Sequence, residues 1–239
     1  MSSSSPSKGI VWIISSATLA VGFIIGSFLI SELILKARLA DRSVTVRGLA
    51  EKDVTADLAT WTLAYSAQGK DLKATQDDID ADTKAIKAFF KDLGFQTDAI
   101  RPAGVGVSQF KDGYGNPNIT IRQRMTLRTT DIELAQQAVT QQFDLIRRGV
   151  VLEDGSGMSY TFTKLDKVKP EMVAAATQDA RRAAQQFAED SGADVGGIKS
   201  ATQGYFSIMP RDGDVGGYGV SDTPYKKVRV VTTVNFYLR

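Results

Sequence analysis

Lys227-Val228-Arg229-Val230-Val231-Thr232-Thr233-Val234-Asn235-Phe236-Tyr237-Leu238 closes the chain. Val228, Val230, Thr232, Val234, Phe236 and Leu238 alternate with Lys227, Arg229, Thr233 and Tyr237. A period of two sends the two sets to opposite faces of a strand, one apolar and one polar. That pattern belongs to an antiparallel sheet covered by helices on one side. The segments upstream fit such a sheet. A strand runs from about Ile198 to Met209, and a Gly-rich loop from Asp212 to Gly219 leads into the closing strand. Before them lies a long Ala-rich helix with Pro170 in its first turn, Ala176, Ala180, Ala183 and Phe187 inward, and an end near Gly192. Val150 to Glu153 and Ser159 to Leu165 flank Asp154-Gly155-Ser156-Gly157 as a hairpin.

The first half repeats this order of elements. Val44 and Val46 begin a short strand, Gly48 to Asp53 reads as a turn, and Val54 to Ala67 forms a second strand with Trp61, Leu63 and Tyr65 on one face. A helix follows from about Leu72 to Leu93, with Leu72, Ile79, Ile86, Phe90 and Leu93 inward and Gly94 just past its end. Pro102 precedes a strand reaching Phe110, Lys111 to Pro117 turns the chain, and Ile119, Ile121, Met125 and Leu127 alternate on the return. Thr130 and Glu133 make a capping box for a linking helix over about 131–147. The prediction is an α+β protein: a duplicated β-β-α-β-β antiparallel sheet domain packed with helices, filling residues 40–239, with halves at about 43–130 and 149–239.

Composition limits the chemistry. The 239 residues include 29 Lys+Arg, 27 Asp+Glu, and neither Cys nor His. Disulfides, iron–sulfur clusters, thiolate zinc sites, Ser-His-Asp triads and imidazole-ligated metals are therefore excluded. A net charge of +2 argues against nucleic acid as a partner.

Residues 1–8 form a short tail, and 9–35 read as a transmembrane anchor helix. No charge occurs from Gly9 to Ser31, and at about 1.5 Å per residue the run crosses a hydrocarbon core of about 30 Å. Signal peptides have apolar regions of only about 7 to 15 residues and a small-residue cleavage site, so an uncleaved anchor is the favoured reading. Lys36, Arg38 and Arg42 follow the span and Lys8 precedes it; charge alone would favour a cytoplasmic C-terminal domain. Thr18, Gly22 and Gly26, at four-residue intervals, offer a small-residue stripe for helix packing in the membrane.

Few residues suggest a site. Asp78, Asp80 and Asp82 open like a calcium loop, but Thr83 stands where Gly is required and Phe89 where Glu is required, which leaves a solvated helix face. The glycines from Gly213 to Gly219 lack the Lys-Ser/Thr or helix context of a phosphate loop; Gly216, Gly217 and Tyr218 are instead candidates for an oligomer contact. Arg122, Arg124 and Arg128 on one strand, with Lys227 and Arg229 on another, could share a basic sheet surface that binds an anion or lipid headgroup, or simply keep a polar face soluble. No catalytic constellation emerges, and neither metal nor cofactor is implied.

Ser43-Val44-Thr45-Val46-Arg47-Gly48-Leu49-Ala50, followed by Val54-Thr55-Ala56-Asp57-Leu58-Ala59, resembles the opening of SIMPL-domain (DUF541) proteins, with Ala56 where the family often has Pro. Ala180-Arg181-Arg182-Ala183-Ala184, running to Ala188, and then Gly192-Ala193-Asp194-Val195-Gly196-Gly197-Ile198, resemble that family's second hallmark. The resemblance implies a bacterial cell-envelope protein facing the periplasm, a duplicated α+β fold, large ring-like homo-oligomers in some relatives, and a suggested link to stress tolerance. It outweighs the charge count and puts the C-terminal domain outside the inner membrane. It transfers no active-site residues. The expectation is a non-enzymatic, self-assembling anchored protein; the alternative is a module that binds an anionic lipid or small molecule through the basic face.

Overall fold

The computed structural model describes residues 22, 23, 26–28, 42–111, 113–212 and 223–239. Among the described residues from 42 onward, eight strands form two four-stranded sheets, accompanied by four α-helices. The strands are β1 (Ser43–Thr55), β2 (Leu58–Gly69), β3 (Ile100–Lys111), β4 (Pro117–Thr129), β5 (Gly157–Thr161), β6 (Val195–Gln203), β7 (Ser207–Pro210) and β8 (Tyr225–Leu238). The helices are α1 (Leu72–Asp92), α2 (Ile132–Thr140), α3 (Phe143–Arg147) and α4 (Leu165–Ser191). One sheet has the order β3-β4-β2-β5; the other runs β1-β8-β6, with β7 also paired to β8. The fold is α+β, and the pairings within β2–β5 and of β6 and β7 with β8 are antiparallel.

The described residues divide into two compact units, one of those within 51–172 and 206–229, the other of those up to residue 50 and within 173–205 and 230–239. In the first, Trp61, Leu63 and Tyr65 of β2 meet Met125 and Leu127 of β4 and Ile79, Ile86, Phe89 and Phe90 of α1 in one core. Phe90 is its hinge point: its ring stands edge-on to Trp61 at 5.6 Å, to Phe89 at 5.0 Å and to Phe95 at 5.5 Å. Such pairs add about 0.5–1.5 kcal/mol each beyond the area they bury. Tyr65 takes its hydroxyl into this core and shares a 2.7 Å hydrogen bond with the Thr83 hydroxyl. Leu72, expected inward, is half exposed because it sits in the first turn of α1. Asp71 caps that turn by accepting from the Ala74 N–H. The linking helix is two short ones, α2 and α3, and its cap is Asp131, whose carboxylate accepts from the Leu134 N–H, rather than Thr130.

The second unit has its own smaller core, in which Val46, Val234 and Phe236 pack on Ala180 and Ala184 of α4. Here Gly48 proves to lie within β1, not in a turn. A Cβ at Gly48 would sit 1.9 Å from the Ala176 carbonyl oxygen and 2.5 Å from the Ala180 nitrogen, so glycine is demanded by close approach of strand and helix. The buried stripe of α4 is accordingly Ala176, Ala180, Ala184 and Ala188 at four-residue spacing, while Phe187 is 61% exposed. An alanine stripe lets the helix axis come close; phenylalanine would hold it off. The Asp179 carboxylate accepts from the Leu49 N–H at 2.9 Å. That hydrogen bond, with Arg182 beside it, holds the Asp179 carboxyl below the ordinary aspartate value.

The sheets do not follow the sequence halves. β5, from the second half, pairs with β2, and β1, from the first, lies beside β8. The hairpin expected around Asp154 does not form. Leu152 bridges to Tyr65, and β5 pairs along Leu58 to Thr62, which brings Met158 and Tyr160 onto the core face beside Trp61. Burial of those two side chains favours pairing with β2. α4 begins at Leu165, five residues before Pro170, and carries the proline inside it.

Among the described residues no helix is long and apolar enough to cross a membrane. Most of the expected 9–35 anchor, including Thr18, lies outside the described residues; Gly22 and Gly26 are helical, and a Cβ on either would meet nothing within 4 Å.

Candidate functional site

The alternation that buries Trp61, Leu63 and Tyr65 turns polar and basic side chains to the other face of β3-β4-β2-β5. The antiparallel register sets Ala64 and Gly104 on either side of Arg124, and Ser66 and Gly106 on either side of Arg122. Thr126 lies next along β4 between Thr62 and Arg101, and then Arg128 opposite Thr60. Four arginines therefore share this face, and β2, β3, β4 and β5 contain no Asp or Glu. A hollow of about 300 Å³ lies among Ala64, Gly104, Gly106, Arg122, Arg124 and Glu153.

Glu153 reaches the face through the loop before β5. Its N–H donates to the Ala64 carbonyl at 2.7 Å. The Ser156 hydroxyl accepts from the Ala64 N–H at 2.9 Å and donates to the Ala64 carbonyl at 3.2 Å. With the loop pinned to β2, the Glu153 carboxylate stands 3.4 Å from the Arg122 Nε. Arg124 and Arg128 have no acidic partner among the described residues. The sequence pointed to Arg122, Arg124 and Arg128 but missed Arg101, Gly104, Gly106 and Glu153. The Gly-Val-Gly-Val run at 104–107 was the available signal for the glycines; the Glu153 pairing depends on the loop's long-range attachment to β2 and has none.

Lys227 and Arg229 lie in the other sheet, on β8, where both face Glu51 at 3.6 and 3.7 Å. Arg122, Arg124 and Arg128 are thus on β4 of one sheet, and Lys227 and Arg229 on β8 of the other. Gly216, Gly217 and Tyr218 lie outside the described residues. Asp78, Asp80 and Asp82 are on α1. Burial, and then the neighbouring Asp78, raise the Asp82 carboxyl above the ordinary aspartate value.

Two apolar features accompany the arginine face. β3 is a sheet edge, and Val105, Val107 and Phe110 on it are 72%, 60% and 54% exposed. Phe143, Ile146 and Val151 are likewise exposed and line a groove of about 790 Å³ that ends at Glu153 and Asp154.

A comparison with curated proteins finds no match to this chain. The family model that matches is SIMPL, described as a protein of unknown function (DUF541), over residues 44–236. That span covers nearly all of the two-sheet fold, and the chain belongs to the SIMPL (DUF541) family.

Proposed function

We propose that this protein is a non-enzymatic, membrane-anchored cell-envelope protein that self-assembles into a homo-oligomer and acts as a scaffold or chamber, with a role in stress tolerance. In this reading it crosses the bacterial inner membrane once, through residues 9–35, and presents residues 40–239 to the periplasm. The observation that carries it is the β3 edge. Twelve residues of strand have no neighbour on their outer side among the described residues. Soluble proteins blunt such edges with charge, proline or bulges. β3 has Pro102, a bulge between Pro102 and Gly104, and Lys111 at its ends, but Val105 to Phe110 is uncharged and exposes three large apolar side chains. An uncharged apolar edge suits main-chain pairing with a second copy of this chain.

The geometry of that contact sets the assembly. β3 against β3 is self-complementary and stops at a two-fold dimer, whereas β3 against a different edge strand, such as β6, is head-to-tail and closes into a ring or runs on as a filament. Mass measurement of the detergent-extracted full chain tests the reading. Particles at multiples of 25.8 kDa are expected; monomers alone would sink it.

A further inference from the structure

The run Gly104-Val105-Gly106-Val107 places its valines toward Gln123 and Ile121 and its glycines opposite Arg124 and Arg122. Gly104 adjoins the bulge after Pro102, but no such irregularity lies at Gly106. Neither has a positive φ, and a Cβ on either would meet nothing within 4 Å. Glycine weakens a strand by adding chain entropy to the unfolded state and removing a side chain that could pack. Away from a bulge or bend, as at Gly106, a strand glycine often marks a place where something else approaches the backbone. Here the bare backbone forms the floor of the 300 Å³ hollow, a volume at the small end of the range for ligand pockets.

The walls of the hollow are basic. Arg122 and Arg124 project from the same face two residues apart, about 7 Å along the strand. With Ala64 and Gly104 beside Arg124, and Ser66 and Gly106 beside Arg122, no large side chain stands between the guanidinium groups and solvent. Arg101 and Arg128 extend the positive field along the sheet. Glu153 is the sole acidic group lining the hollow. Two planar forks, each presenting parallel N–H donors, match an anion with several oxygens, such as phosphate.

We propose that Arg122 and Arg124, over the floor made by Gly104 and Gly106, bind a phosphate group. Glu153 occupies Arg122 when the site is empty and competes with the incoming anion. The site includes Gly104 and Gly106 of the edge strand β3 but uses one face of β3 and β4, whereas edge pairing uses the outer main-chain groups of β3, so the site stands whether or not the chain self-assembles. A free phosphate compound and a phospholipid headgroup carry the same chemistry, and the probes separate them.

The test titrates the detergent-extracted full chain with inorganic phosphate, inorganic pyrophosphate and the soluble short-chain lipid dihexanoyl phosphatidic acid, reading heat or intrinsic fluorescence. Saturable binding of at least one probe is expected. Binding confined to the lipid assigns the site to a headgroup, and binding of the inorganic ions assigns it to a free phosphate. Arg122→Gln with Arg124→Gln should weaken the binding at least tenfold. Gly104→Leu with Gly106→Leu should weaken it comparably with no change of charge, and the open space at both positions leaves the fold intact by circular dichroism. Glu153→Gln should tighten it two- to fivefold by removing the competitor. Lys84→Gln with Lys87→Gln, exposed on α1, should leave it unchanged. Wild-type protein that binds none of the probes would overturn the proposal. So would a double-arginine variant that binds as wild type does, or an equal loss in the α1 control.

Discussion

Gly48 concentrates the packing of β1 on α4 into one missing methyl group. A Cβ there would fall 1.9 Å from backbone oxygen and 2.5 Å from backbone nitrogen, neither of which a side-chain rotation can relieve. Gly48→Ala should therefore destabilise the protein by about 3 kcal/mol or more, read as a lowered midpoint in urea. Asp57 makes a second local claim. Burial works to raise its carboxyl, but the Thr163 N–H at 2.7 Å, the Thr163 hydroxyl at 3.0 Å and the Lys164 ammonium at 3.3 Å outweigh it, so its pKa lies below the ordinary aspartate value. A lowered folded pKa means that its contribution is fully present above the unfolded value of about 3.9 and is lost as pH falls through the folded value. Asp57→Asn should cost about 1 kcal/mol at neutral pH. The gap from wild type should close below about pH 4, and a gap that stays constant into acid would show that the charge is not what stabilises the turn.

The strands and helices differ in how openly the sequence declares them. Trp61, Leu63 and Tyr65 alternate at a period of two and are buried together, and the closing strand alternates from Val228 to Phe236 as read. These patterns are local and depend only on which face meets a core. Gly48 looked like punctuation because a glycine in a strand resembles a turn until its partner helix is in place. Phe187 looked like core because it is large, yet the face that approaches the sheet takes alanine for closeness. The pairing of β5 with β2, instead of with the segment at 150–153, depends on contacts about 100 residues apart, and no local signal encodes them. The arginine face was legible residue by residue, but the assignment of Lys227 and Arg229 to a different sheet follows from strand order, which no local pattern encodes. At this scale β3 makes the sharpest prediction. Val107→Lys places a charge in the middle of the exposed edge without disturbing the buried core, since Val107 is 60% exposed. It should abolish edge pairing while changing stability by less than about 0.5 kcal/mol.

For the whole molecule, membership of the SIMPL family sets the fold and leaves the role to be argued from surfaces. Two surfaces bear on it: an apolar sheet edge that suits another copy of the chain, and an arginine face that suits a phosphate. They differ chemically, so their effects should separate. Arg122→Gln with Arg124→Gln should leave particle mass unchanged, and Val107→Lys should leave phosphate binding unchanged. The most direct test of the account is the mass distribution of the full chain, extracted in detergent, beside that of Val107→Lys. The account predicts particles at multiples of 25.8 kDa that fall to a single 25.8 kDa chain in the variant. Wild-type protein found only as single chains, or a variant whose assemblies match those of wild type, would contradict it.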